Sequence, residues 1–515
     1  MDKILILDFG GQTCQLIGRR LREAGVYSEI ISHDKPCTTE LLLDVKGLVF
    51  SGSPYSVYEP DSPRVDPKFL QAGLPVLGIC YGFQLLTETL GGKVKGQDLK
   101  EYGRVPLKVQ RQDPLFAGVP QGFQSWMSHG DSIESLAPGF DLVCESDNHP
   151  AAAWDSGRRF WGIQFHPEVS HCEYGNVILS NFALGICGAK ADWTMELYLE
   201  MEGSKIRSRV GSSPVLLLIS GGVDSTVAGV MLLKILDPEL VHLMYIDTGL
   251  MRANESTEVE VILRTLGAKH LHLIHAEARF LTALQGLADP EAKRKAIGDT
   301  FIRVQEEEVA RLQLTDYFLA QGTLYTDLIE SGKGVGKKAH VIKSHHNVGT
   351  PLVEAKRQAG RIIEPLEMLY KDEVRALGAR LGLPEAVVWR HPFPGPGLGI
   401  RVLGEVTKEK CDILRQADAL YLSELRRRNL YREIWQAFAV LLPVRSVGVT
   451  GDARDYGYVL ALRAVTSKDG MTADVYDFPM KDLLEISSLI TNQVRAVGRV
   501  TYDISSKPPS TIEWE

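Results

Sequence analysis

Short aliphatic runs that stop at glycine or serine, each followed by an amphipathic stretch, recur along this chain. The series breaks once and then restarts. Residues 4–7, 47–50 and 76–79 read as buried strands, and 12–24 and 83–90 as helices between them. Alternation of this kind builds a parallel sheet with helices on both faces. Residues 105–109 and 159–165 add strands, and 174–186 reads as a closing helix. Helical spacing over 193–210 ends at Gly211-Ser212-Ser213-Pro214, and 215–219 opens a second series with strands at 241–246 and 270–274. The Gly- and Lys-rich stretch 331–338 is expected to form a mobile loop. His391-Pro392-Phe393-Pro394-Gly395-Pro396-Gly397 forbids a helix or a central strand. Beyond it, a helix over 408–428 mixes with strands at 444–449, 458–464 and 499–504. The expected fold class is α/β: two open, mainly parallel sheets with helices on both faces, plus a smaller α+β C-terminal domain. The expected boundaries are 1–188, 189–390 and 391–515.

A chain of 515 residues exceeds one hydrophobic core. With 44% hydrophobic and 24% charged residues and no low-complexity tract, packed domains are expected rather than disorder. The formal net charge of −8 argues against nucleic acid as the main partner. The first apolar run is too short for a signal-peptide core, and no stretch approaches a membrane span. The seven cysteines are scattered, with no C-x-x-C pair, which favours a reducing compartment and argues against a zinc ribbon. A cytoplasmic enzyme is expected.

Gly78-Ile79-Cys80-Tyr81-Gly82 lies between an expected strand and an expected helix. It has the form of a nucleophile elbow with cysteine in place of serine. The tight turn strains the nucleophile's backbone, and the glycines remove Cβ atoms that would otherwise collide. A sulfur at a helix N-terminus is favoured as thiolate. Gln164-Phe165-His166-Pro167-Glu168 follows another expected strand, so His166 sits at a strand end, where Glu168 can orient the imidazole. Together the two segments make a Cys–His–Glu arrangement with the logic of a triad.

Residues 1–187 resemble the class I (triad) glutamine amidotransferases. The resemblance implies that Cys80 attacks the glutamine side-chain amide, His166 is the base and Glu168 its orienter. Ser51-Gly52-Ser53-Pro54 matches the family's oxyanion loop, with Ser53 where glycine is usual, so Gly52 and Tyr81 would supply the amides of the oxyanion hole. Gln84 and Ser128-His129-Gly130 match positions that hold the substrate glutamine, although His129 is equally compatible with a structural role.

Ser220-Gly221-Gly222-Val223-Asp224-Ser225 follows a strand and opens a helix, a setting for an anion nest of backbone amides. It lacks the lysine of a Walker A loop. It resembles the loop of N-type ATP pyrophosphatases, which grip the β and γ phosphates together and leave an adenylylated substrate. That resemblance implies Asp224 as a Mg²⁺ contact and backbone near Ile246 against the adenine. Asp327 and Glu330 are either a second metal contact or ordinary helix charges.

The segments 343–349 and 390–399 and the stretch 506–515 carry a closer resemblance, to the glutamine-hydrolysing GMP synthase family. It implies glutamine, ATP and xanthosine monophosphate (XMP) as substrates, with Mg²⁺ accompanying ATP. It also implies Arg252, Gln436, Lys507, Ile512 and Glu513 as XMP-binding residues, Lys343 as a lid residue, and a homodimer formed through the C-terminal domain.

Overall fold

The computed structural model describes residues 1–147, 149–330, 351–450, 453–467 and 472–515. Lys343, the rest of the 343–349 motif and the stretch 331–338 lie outside the described residues. The chain forms two compact units. One comprises Met1–Met201 and takes in the short helix Tyr325–Glu330; the other comprises Glu202–Leu324 and the described residues from 351 onward.

The first unit is built on strands β1 (Lys3–Asp8), β2 (Tyr27–Ser32), β3 (Val45–Phe50), β4 (Val76–Ile79), β5 (Lys93–Val109), β6 (Gly122–Ser135), β7 (Asp141–Glu145), β8 (Pro150–Asp155) and β9 (Phe160–Ile163). Their order in the sheet is β2-β1-β3-β4-β9-β8-β7-β5-β6. The run from β2 to β9 is parallel, and the strands beyond β9 pair antiparallel. Both faces of the parallel half are buried: Ile4 and Ile6 enter one core cluster while Leu5 and Leu7 enter another. That is the period-two alternation of a strand with helices on either side. Of the antiparallel half, residues 105–109 fall within β5 as expected, while β6, β7 and β8 have no counterpart among the expected strands. In β6, buried Phe123, Ser125 and Met127 alternate with more exposed neighbours.

The second unit holds β10 (Val215–Ile219), β11 (Val241–Asp247), β12 (His270–His275), β13 (Phe318–Ala320) and β14 (Ile362–Ile363). They pair in the order β12-β11-β10-β13-β14, all parallel. A second sheet places β16 (Ala453–Thr466) antiparallel to β15 (Gln436–Thr450) and β17 (Asp474–Val475), and parallel to β18 (Val497–Tyr502). One core serves both sheets: Leu216, Met244 and Leu319 share it with Tyr421, Leu441 and Leu460. Among the described residues, no helix is long and apolar enough to cross a membrane.

Candidate active sites

Cys80 sits between β4 and the helix Tyr81–Thr89 with φ 53° and ψ −106°. This is a strained position for a residue that carries a Cβ. The flanking glycines are there for space. A Cβ on Gly78 would lie 2.6 Å from the carbonyl carbon of Gly82, and one on Gly82 would lie 2.3 Å from the Phe50 carbonyl oxygen. Because β4 pairs with β9, the turn after β9 opens beside the elbow. It delivers His166, which bonds the Cys80 sulfur and whose Nδ1 lies 2.7 Å from Glu168 Oε1. Glu168 is fully buried, and its carbonyl accepts from Arg20 Nε at 3.1 Å. Burial alone would pull the His166 pKa down. The Glu168 carboxylate and the Cys80 sulfur outweigh it and raise the imidazole well above the ordinary histidine range.

Gly52 lies against both catalytic candidates: a Cβ there would be 3.3 Å from His166 Cε1 and 3.9 Å from Cys80 Cβ. The loop is tied to the elbow helix by the Gly82 amide, which donates to the Ser51 carbonyl at 3.1 Å. The Tyr81 amide opens that helix, where amides have no intrahelical acceptor. Gln84 Nε2 donates to the Asp131 carbonyl at 3.0 Å, and the His166 amide donates to the Trp126 carbonyl at 2.9 Å. β6 is thereby held at both ends of the stretch that contains Ser128, His129 and Gly130. The imidazole of His129 is buried 3.3 Å from the Glu101 carboxylate, so its side chain is engaged within the β5–β6 pair. Gln164, read in the sequence only as part of the His166 segment, donates from Nε2 to the Cys80 sulfur at 3.7 Å.

In the second unit, Gly221 turns at φ 81° after β10, and the following helix spans Val223–Ile235. Val223, Asp224 and Ser225 therefore form its first turn, where amides and the helix dipole favour an anion. The Ser220 amide donates to Ser225 Oγ at 3.1 Å, and Thr226 Oγ1 donates to the Gly222 carbonyl at 2.8 Å. Gly322 packs on the loop, since a Cβ there would be 3.2 Å from the Ser225 amide nitrogen. Ile246 is buried near the end of the adjacent strand, β11.

Two basic partners of this loop were missed. Lys371 Nζ donates to both carboxylate oxygens of Asp224, at 2.6 and 2.5 Å. Arg390 Nη1 donates to the Gly221 carbonyl and to Glu255 Oε1, each at 3.1 Å. Lys371 and Asp224 are 147 positions apart, and local spacing carries no signal for such a pair. Asp327 lies in the helix counted with the other unit, and the Glu330 side chain is not among those described.

Arg252 and Gln436 both reach the segment around Phe393, where Gln436 Nε2 donates to the Pro392 carbonyl at 3.3 Å. Arg252 and Arg401 both lie over the Phe393 ring, at 4.6 and 5.0 Å. Glu513 accepts from Arg401 Nε at 3.1 Å, from Arg401 Nη2 at 2.8 Å and from Gln436 Nε2 at 2.7 Å. Arg252 is buried beside Asp418, its Nε 3.6 Å from the carboxylate. Ile512 is buried in a cluster with Phe438 and Val440. Lys507 is tied through its backbone to Ala473. Arg401 joins the cluster only in three dimensions.

Residues 5–186 match the family model "Glutamine amidotransferase class-I", and residues 423–514 match "GMP synthase C terminal domain". A protein of Enterococcus faecalis named "GMP synthase [glutamine-hydrolyzing]" is 50% identical, covering 100% of this chain and 98% of its own. One of Zymomonas mobilis with the same name is 51% identical over the same shares. The chain belongs to the glutamine-hydrolysing GMP synthase family. In this member of the GMP synthase family, the amidotransferase match covers the elbow, His166 and Glu168. The C-terminal match covers Gln436, Lys507, Ile512 and Glu513. The loop 220–225 lies between the two matched stretches.

Proposed function

We propose that this chain makes GMP from XMP with ammonia taken from glutamine, and that the two sites described above divide the work. The domain boundaries 1–188, 189–390 and 391–515 separate the glutaminase, the ATP pyrophosphatase and the acceptor-binding and dimerisation parts. In the first, the Cys80 thiolate attacks the glutamine amide carbon. The oxygen that turns negative is held by the Gly52 and Tyr81 amides. His166 protonates the departing ammonia, and water then cleaves the thioester to release glutamate. Gln84 and the 128–130 stretch of β6 position the substrate.

In the second, the amides of 220–225 hold the β and γ phosphates of ATP while the base lies against β11 at Ile246. The XMP O2 attacks the α phosphorus and pyrophosphate leaves. Ammonia then adds at C2 and AMP departs with the oxygen. Arg252, Gln436, Lys507, Ile512 and Glu513 hold XMP. Among the described residues, no cluster of three or more His, Cys, Asp or Glu side chains is arranged to hold a metal. Mg²⁺ ordinarily uses one or two carboxylates together with substrate phosphates and water, so the single carboxylate of Asp224 beside the loop is a suitable donor. Asp224 would hold Mg²⁺ there, and the ion would supply neutralisation of phosphate charge. Lys371, which donates to Asp224, would lie beside the bound phosphates and add a positive charge to the site.

The observation that carries this reading is the Cys80–His166–Glu168 contact at a strained elbow, in a chain that also holds a lysine-free phosphate loop. The test is an assay with glutamine, Mg-ATP and XMP, scored for GMP, AMP and pyrophosphate in equal amounts. Formation of ADP in place of AMP would overturn the adenylate step. A homodimer is proposed through the β15–β16 ribbon, where Val444, Val447, Val449 and Tyr456 are exposed and Val447 faces Tyr456 across the pair.

A further inference from the structure

The stretch 503–515 carries Lys507, Ile512 and Glu513, and three fully buried cations of the second unit grip it. Arg463, on β16, donates from Nη1 to the carbonyls of Asp503 and Ser505 and from Nη2 to the carbonyl of Thr511. It also pairs with the Asp503 carboxylate at 3.3 Å. Arg401 holds both oxygens of Glu513. Lys293, on the helix Pro290–Leu312, donates from Nζ to the carbonyls of Val402 at 3.0 Å and Gly404 at 3.2 Å, and pairs with the Glu515 carboxylate. All three cations have side chains with no exposed surface.

A buried cation is costly unless it is paired and its donors are used. Lys293 donates two hydrogen bonds, to the carbonyls of Val402 and Gly404, and balances its charge in an ion pair with the Glu515 carboxylate. Two of those contacts fix the backbone immediately after Arg401, the residue that orients Glu513. The third fixes the chain two residues beyond Glu513. Lys293 therefore braces both sides of the Arg401–Glu513 pair, although it lies more than a hundred residues from either partner and outside every motif.

We propose that Lys293 and Glu515 form a latch that positions Glu513 and Ile512 for the acceptor nucleotide, so that Lys293 is a positioning residue for XMP. The inference rests on the proposed assignment of Ile512 and Glu513 to that nucleotide. With the latch open, the 503–515 stretch keeps its Arg463 anchor but loses the constraint next to Glu513. Binding of XMP must then first order that stretch.

The test compares Lys293→Met, Glu515→Gln and Glu513→Gln in the full-length enzyme. Glu515→Gln keeps the buried lysine and guards against a folding failure in Lys293→Met. Both latch variants are expected to raise KM for XMP by roughly ten- to a hundredfold, the size of one charge-assisted hydrogen bond. KM for ATP, kcat at saturating XMP and thioester turnover at Cys80 are expected to stay near wild type. Amide exchange over 503–515 should quicken in both variants and slow again when XMP is added. If Glu513→Gln raises KM for XMP but neither latch variant does, the latch is wrong and the acceptor site stands. If Glu513→Gln also leaves that KM unchanged, the acceptor assignment itself fails. A rise in KM for ATP as large as that for XMP would make Lys293 a general structural support and overturn the positioning role.

Discussion

Cys80 and His166 occupy adjoining turns of one sheet, and each shapes the other. The backbone strain at Cys80 is tolerated because β4 is paired on both sides and the Cys80 amide donates to the Ile163 carbonyl at 2.7 Å. Replacing Cys80 with alanine is expected to lower glutamine-dependent GMP formation by roughly a thousandfold or more while leaving ammonium-dependent formation intact. Parallel assays with glutamine and with ammonium chloride check this, and equal losses in both would remove the separation of sites. His166 carries a second prediction. Its imidazole is raised well above its ordinary value of 6.5 despite burial, with Glu168 the largest raising influence. The charged pair therefore stabilises the fold below pH 6.5 and is lost as pH rises through the raised folded value. In Glu168→Gln, the His166 titration should move to lower pH, measured by ring ¹⁵N shifts. The stability gap between wild type and variant should narrow at alkaline pH. An unmoved titration would mean that Glu168 does not set the charge of His166.

The segment that begins at Arg390 shows how an irregular element can be held as firmly as a helix. His391 accepts from the Ala437 amide at Nδ1, 3.1 Å, and donates from Nε2 to the Tyr431 carbonyl at 2.8 Å. Its ring stacks on Tyr431 with centroids 3.8 Å apart. Both nitrogens are satisfied only in the neutral form, and burial pushes the pKa down to about 4. Protonation favours the unfolded chain, where the ordinary value is 6.5. The stabilisation is present above pH 6.5 and is lost as pH falls toward 4, in total roughly 3 kcal/mol. Urea unfolding between pH 7.5 and 4.5 should show this loss in the second unit, and His391→Gln should flatten it. A variant with an unchanged acid slope would place the titrating group elsewhere.

For the whole molecule, the expected assembly turns on the β15–β16 ribbon. Val449 is 78% exposed and Tyr456 56% exposed, an apolar stretch that a second copy would cover. Val447→Lys together with Tyr456→Lys should shift the enzyme from dimer to monomer in sedimentation velocity. Glutamine hydrolysis, proposed for the other unit, should remain. A monomeric wild type, or a dimeric double variant, would exclude this surface as the contact.

Most of the parallel strands and both loops could be read from the residues alone, but β2 and the two-residue β14 could not. A strand buried on both faces must be apolar throughout, as residues 4–7 and 215–219 are, and a loop that ends such a strand shows its glycines locally. The strands β6 and β7 could not be read this way, because they mix polar and apolar residues, and β8, though buried, is built of small alanines that carry no strand preference. Within the sites, the sequence by itself determined the residues that carry their own local signature: Cys80 at its elbow, His166 and Glu168 two apart, and Gly221 at its turn. Only the tertiary structure decided that Lys371 holds Asp224, that Arg390 holds the Gly221 turn, that Glu101 engages His129, and that Arg401 meets Glu513. Those pairs form between elements far apart along the chain, where charge and shape match only after the sheets and helices have packed.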